Sequence, residues 1–151
     1  MDANHELHIV YLSHLAPGCD YTVYSEVCRS ARARNPTRGI AGVLLFDGHR
    51  FVQWVYGQRD AVRALMGAIV IDPRHTAMSV RLEAMLPALD QEPSWRTGFI
   101  SADALDAFAA LRRGESAALL ADLARLIEEA DLEPPLPVEA PPAAWTRRAP
   151  G

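Results

Sequence analysis

The sequence contains no lysine, only two cysteines, and no apolar stretch near the ~20 residues that a membrane-spanning helix requires. Its basic residues are all arginine, scattered along the chain, and 15 of them against 19 acidic residues leave a formal net charge of −4. That is a composition bias rather than a basic patch, so neither nucleic acid nor a membrane is the expected partner. Cys19 and Cys28 show neither metal-ligand spacing nor a disulfide framework. Two reduced thiols in a cytoplasmic protein are expected instead. The N-terminus "MDANHELHIV" lacks a basic region followed by an apolar run, so no secretory leader is expected. Also missing are a Gly-rich phosphate loop, a nucleophile elbow and a paired-histidine metal motif. His5, His8, His14, His49 and His75 are spaced too irregularly to argue a metal site. No enzyme class has its signature here, and none is expected.

What is present is the composition of a soluble globular domain, 50% hydrophobic and 23% charged, long enough for a core without staples. "LHIVYLS", residues 7–13, is a β-prone run ended by the breakers "APG". Asp20 or Thr22 can cap a helix whose apolar stripe is Val23, Val27 and Ala31, with Cys28 beside it. Pro36 biases Asn35 away from helical dihedrals, so the helix is expected to stop there. "GIAGVLLFDG", residues 39–48, predicts a central strand, and its "DG" a hairpin into "RFVQWVYG", residues 50–57. Residues 58–71 predict a second helix with Val62, Leu65, Met66 and Ile69 on one face, ending before Pro73. Residues 78–86 and 95–100 read as two further strands. The order of the first six elements is that of a ferredoxin-like split βαβ domain, an α+β fold βαββαβ extended by a fifth strand, with both helices on one sheet face. Two C-terminal helices follow, around Leu105–Phe108–Leu111, ending at Gly114, and around Leu119–Leu123–Ile127. The Pro-rich residues 131–151 predict disorder, and Trp145 with the pair Arg147–Arg148 reads first as an unselective tail end and only second as a docking motif. The expected division is thus a domain over 1–101, a helical extension over 102–130 and a disordered tail over 131–151.

Two polar residues sit awkwardly in this pattern. Strand alternation puts Gln53 on one face with Phe51 and Val55, and Tyr11 on one face with Ile9 and Ser13. If those faces look at the helices, a phenol and an amide are both buried and need partners. A core tyrosine reaching a backbone group and a glutamine on an exposed face are the plain alternatives.

Together these segments resemble the BLUF family, the flavin-binding sensors of blue light. "IVYLS" resembles the first strand of the family, "RNPTRGIAGVLLF" its Asn-containing turn and second strand, and "GHRFVQWVYG" its third strand. "IDPRH" resembles the stretch after the second helix and "SWRTGF" the last strand, so the likeness runs from residue 7 to about 101. The resemblance implies that FAD lies non-covalently between the two helices, with Tyr11 and Gln53 at its polar edge and Asn35 on its pyrimidine edge. It places Val27, Ile40 and Ile69 against the ring, and Asp72 and His75 beside the site. Tyr11 is implied to donate an electron and a proton on excitation. Gln53 is implied to switch its hydrogen bonds, because one end of its amide donates and the other accepts. Trp95 and Thr97 fall at the positions of signal relay.

Four positions depart from the family pattern. Thr97 stands where many members carry methionine, Ala68 where some carry an arginine near the flavin, Tyr56 where glutamate is common, and Arg34 where asparagine or histidine is frequent. The expectation is a stand-alone, cytoplasmic photoreceptor that acts on an unidentified downstream protein and assembles as a homo-oligomer, a dimer or larger. The alternative is a flavin-free interaction module derived from the same domain.

Overall fold

The computed structural model describes residues 4–89, 94–111 and 116–133. Its elements are β1 (His5–Leu15), α1 (Thr22–Arg34), a 3-10 turn (Pro36–Arg38), β2 (Ala41–Phe46), β3 (Arg50–Gly57), α2 (Arg59–Val70), β4 (His75–Pro87), β5 (Trp95–Phe99), α3 (Ala102–Ala109), α4 (Ser116–Glu129) and β6 (Asp131–Leu132). One sheet runs in the order β4-β1-β3-β2-β5-β6. β2 and β5 are parallel and the other neighbours antiparallel. The chain therefore has the ferredoxin-like arrangement expected from the order of its elements.

Alternation along the strands divides the core between the two sheet faces. Ile9, Tyr11 and Val55 pack against Val62 and Met66 of α2, while Leu44, Phe46 and Phe51 pack against Tyr24 and Cys28 of α1. The intervening residues Val10, Leu12, Val43, Leu45 and Val52 face the other way and meet Leu105 and Phe108 of α3 and Leu119, Leu123 and Leu126 of α4. The C-terminal helices thus cover the sheet face opposite α1 and α2, which leaves the space between α1 and α2 free of them.

Three local expectations are corrected. The helix does end at Arg34, but not because Asn35 leaves helical space: Asn35 keeps φ −64°, ψ −44° ahead of Pro36. Its carbonyl accepts from the N–H of Arg38 at 3.0 Å and of Ile40 at 2.9 Å, and Gly39, at φ +72°, then turns the chain. The start of α1 is tied one residue early, where Asp20 Oδ1 accepts from the N–H of Thr22 at 2.9 Å and from its hydroxyl at 2.5 Å. Third, the tail expected to be disordered from residue 131 begins as β6, which pairs with Gly98 and Phe99 and makes six strands where five were expected. Trp145, Arg147–Arg148 and Gly114 lie outside the described residues.

Candidate functional site

Pairing of β1 with β3 sets Tyr11 opposite Gln53, and pairing of β3 with β2 sets Gln53 opposite Leu44. Both polar side chains point to the α1/α2 face, and each is only 4% exposed. The Tyr11 hydroxyl donates to Gln53 Oε1. With that oxygen committed, the amide NH2 of Gln53 is the end left to bond another group. Burial, with the Asp72 carboxylate adding to it, raises the Tyr11 hydroxyl far above its ordinary value, so it is a fixed proton donor at physiological pH.

The pair lies on the floor of a cleft between α1 and α2, about 870 Å³ with its open mouth included. Val23, Val27 and Ala31, a helical stripe of α1, make one wall, and Leu65, Ala68 and Ile69 of α2 make the other. Asn35 lines the cleft, is 3% exposed, and its side-chain amide makes no hydrogen bond among the described residues. Ser13 also lines the cleft, and its Oγ is buried without a partner. Arg34, Arg38 and Arg74 contribute positive charge to the lining.

Of the residues singled out from sequence, Tyr11, Val27, Asn35, Gln53, Ile69, Asp72 and His75 all line this one cleft. Ile40 does not; it is fully buried behind the cleft in the cluster that holds Tyr11 and Val55. Asp72 and His75 also have local work at the end of α2. Asp72 Oδ1 accepts from the N–H of Arg74 at 3.0 Å, and Oδ2 from Arg74 Nη2 at 2.6 Å. Those bonds hold the Asp72 carboxyl below its ordinary value. His75 Nε2 lies 2.7 Å from the carbonyl of Ile69.

Trp95 and Thr97 are outside the cleft lining. The Trp95 ring is partly buried between the two clusters beneath α1 and α2, and its Nε1 is buried without a partner. Thr97 sits opposite Leu44, is 1% exposed, and its Oγ1 accepts from Arg32 Nη2 at 2.7 Å while donating to the Glu133 carboxylate.

Sequence reasoning missed Ser13, Arg38, Leu44, Phe51 and Arg74 as lining residues. Alternation with Tyr11 and Gln53 could have found Ser13 and Phe51. The arginines come from turns, where no periodicity points at a site.

The residues fit a planar heterocycle with a polar edge. The walls are aliphatic, the floor offers an amide with its donor end uncommitted, and a second buried amide and a hydroxyl converge without protein partners. No cysteine lines the cleft among the described residues; Cys28 packs beneath α1 with Tyr24 and Leu44.

The chain resembles known proteins in sequence and in fold. The family model BLUF, sensors of blue-light using FAD, matches residues 7–90. The blue light- and temperature-regulated antirepressor BluF of Escherichia coli (strain K12) is 33% identical over 67 residues, 44% of this chain but 17% of that protein. The chain thus spans less than a fifth of that relative's length. The dark-state structure of BlrB, a BLUF protein, superposes with a TM-score of 0.62 at 26% identity, covering 83% of this chain and 97% of that one. BlsA in its photo-activated state gives a TM-score of 0.63 at 18% identity over 81% of this chain and 94% of that one, a likeness of fold.

Proposed function

The chain belongs to the BLUF family of flavin-binding blue-light sensors, and from that premise we propose that it binds FAD non-covalently in the α1/α2 cleft and switches through Tyr11 and Gln53. A flavin held there supplies absorption of blue light and, once excited, a strong one-electron acceptor. The observation that carries the reading is the Tyr11 hydroxyl donating to Gln53 Oε1 on the floor of a cleft that the Asn35 amide and the Ser13 hydroxyl also line without protein partners.

Each residue has a task that its surroundings support. Val27 and Ile69, from opposite helices, hold the faces of a flat ring and exclude water from them. Asn35, with both ends of its amide open, bonds the pyrimidine edge. Asp72 is held ionised by Arg74 and orients the rim of the cleft together with His75. Tyr11 Oη holds a proton that burial keeps in place in the dark. Tyr11 would supply an electron and that proton to the excited flavin and regain both from it in the return to the dark. Loss of the Tyr11 proton removes the donor to Gln53 Oε1, which frees the amide to rotate or tautomerise. Reversed, Gln53 presents a different donor pattern to the cleft, and the absorption shifts slightly to the red. No covalent adduct is required, in keeping with the absence of a lining cysteine among the described residues.

The protein acts as a sensor rather than an enzyme. Its output is an altered contact with a downstream protein or with a second copy of itself. No helix among the described residues is long and apolar enough to cross a membrane. Cys19 and Cys28 are both free thiols, which suits the reducing cytoplasm.

The test is a difference spectrum. Purified protein, or protein refolded with FAD, is expected to be yellow and to shift reversibly to the red under blue light. Tyr11→Phe and Gln53→Leu should each bind flavin and lose the shift. A chain that stays colourless after refolding with FAD refutes the sensor reading. A normal, reversible shift in either variant refutes the role given to that residue.

A further inference from the structure

Resting on the reading of the cleft as a flavin site, we propose that Glu133 is a positioning residue for it: clamped by Arg32 and Thr97, Glu133 ties the C-terminal strand β6 to helix α1, so that flavin binding and β6 docking favour each other. Glu133 Oε1 accepts from Arg32 Nη2 at 2.6 Å and from the Thr97 hydroxyl, and the same Arg32 nitrogen lies 2.7 Å from Thr97 Oγ1. The Glu133 N–H donates to the Thr97 carbonyl at 2.8 Å. Three groups from α1, β5 and the segment after α4 therefore close on one another through charge-assisted bonds, the stronger kind in proteins.

Two features make this more than a surface ion pair. First, Thr97 is 1% exposed, so its hydroxyl depends on protein partners and loses one if Glu133 leaves. Second, β5 is shaped to receive the strand. A Cβ at Gly98 meets the Asp131 carbonyl oxygen at 2.7 Å and Leu132 Cα at 2.8 Å, so only the bare backbone of glycine lets β6 approach this closely.

The clamp reaches the cleft by a short route. Arg32 directly follows Ala31, which lines the cleft, and α1 is held on β5 by a second bond, from Tyr24 Oη to the Gly98 carbonyl at 3.1 Å. Across the sheet, Thr97 is opposite Leu44, Leu44 opposite Gln53 and Gln53 opposite Tyr11. Freeing Arg32 relaxes one side of α1 while the other side forms the cleft wall. By linkage, what β6 docking does for flavin affinity, flavin does for β6 docking by the same factor.

The experiment titrates the flavin-free full chain with FAD and follows amide hydrogen exchange at residues 131–133 with and without it. In the wild type, FAD should slow exchange at 131–133. Glu133→Ala, Gly98→Ala and Thr97→Val should each undock β6 and raise the FAD Kd by about 5-fold or more, the lower end of usual coupling. Thr97→Ser keeps the hydroxyl and should bind as the wild type does. The Glu133 side chain is 34% exposed, so its variant keeps the test open if Gly98→Ala does not fold. Fast exchange at 131–133 in Glu133→Ala together with a wild-type Kd overturns the inference and leaves the flavin reading intact. A wild-type chain that takes up no FAD overturns the flavin reading and the inference with it.

Discussion

Tyr11 and Gln53 can be tested as a pair without light or flavin. Both are 4% exposed, and the hydroxyl of one donates to the amide oxygen of the other. Tyr11→Phe keeps the ring but leaves Gln53 Oε1 without its donor. Gln53→Leu keeps the bulk but leaves the Tyr11 hydroxyl without its acceptor. A buried polar group stripped of its partner costs about 1–3 kcal/mol, whereas removing both partners together is close to neutral. The cleft is open at its mouth, so water can reach part of the stranded group, and the lower half of that range applies. Each single variant should then lose about 1–2 kcal/mol, and the double variant Tyr11→Phe/Gln53→Leu should be no worse than either. The predicted coupling is about 1–2 kcal/mol in favour of the pair. Urea unfolding of the flavin-free protein measures it through shifts in midpoint at constant slope. Independent sites add to within ~0.5 kcal/mol. Additivity at that level would refute the claim that the two side chains satisfy each other, and with it the dark-state hydrogen bond on which the switch depends.

Other expectations follow from single residues. Asn35→Ala removes two open amide groups from the cleft and should weaken FAD binding by about 1–3 kcal/mol, roughly 5- to 150-fold, read by titration; an unchanged Kd would make Asn35 a helix terminator only. Burial without solvent holds the His8 imidazole down at about 4, against an ordinary value of 6.5. The unfolded chain therefore takes up a proton between those pH values and the folded chain does not, so stability should fall as pH drops through that window, by about 3 kcal/mol at most, and His8→Phe should flatten the fall. Gly42 has φ +152°, and a Cβ there meets the Trp54 carbonyl oxygen at 1.9 Å and the Trp95 ring at 2.9 Å. Gly42→Ala should accordingly part β2 from β3 and displace Trp95, with a loss of several kcal/mol in thermal unfolding and an altered Trp95 environment in fluorescence.

Much of this architecture was legible because its signals are periodic. The alternation of β3 put Gln53 on the face of Phe51 and Val55, and the spacing of Val23, Val27 and Ala31 marked the wall of α1. Register was not legible: nothing in the run "IVYLS" says that Tyr11 will stand opposite Gln53 rather than two residues away, since that follows from how β1 and β3 pair. At Asn35 a sound local rule was outweighed. The bias against helical dihedrals before proline gave way where two backbone N–H groups bond the Asn35 carbonyl, and Asn35 lines the cleft. The two-residue β6 had no periodicity to read and lies at the edge of a proline-rich stretch, where composition argues for disorder. That stretch also changes the meaning of Thr97. Judged against its family, the position reads as a methionine lost. In the structure its hydroxyl gains two charged partners, one of them Glu133, 36 residues further along the chain. A position read only for what it lacks cannot reveal a partner in a segment written off as unstructured, and the effect of a threonine there depends on whether that segment is docked.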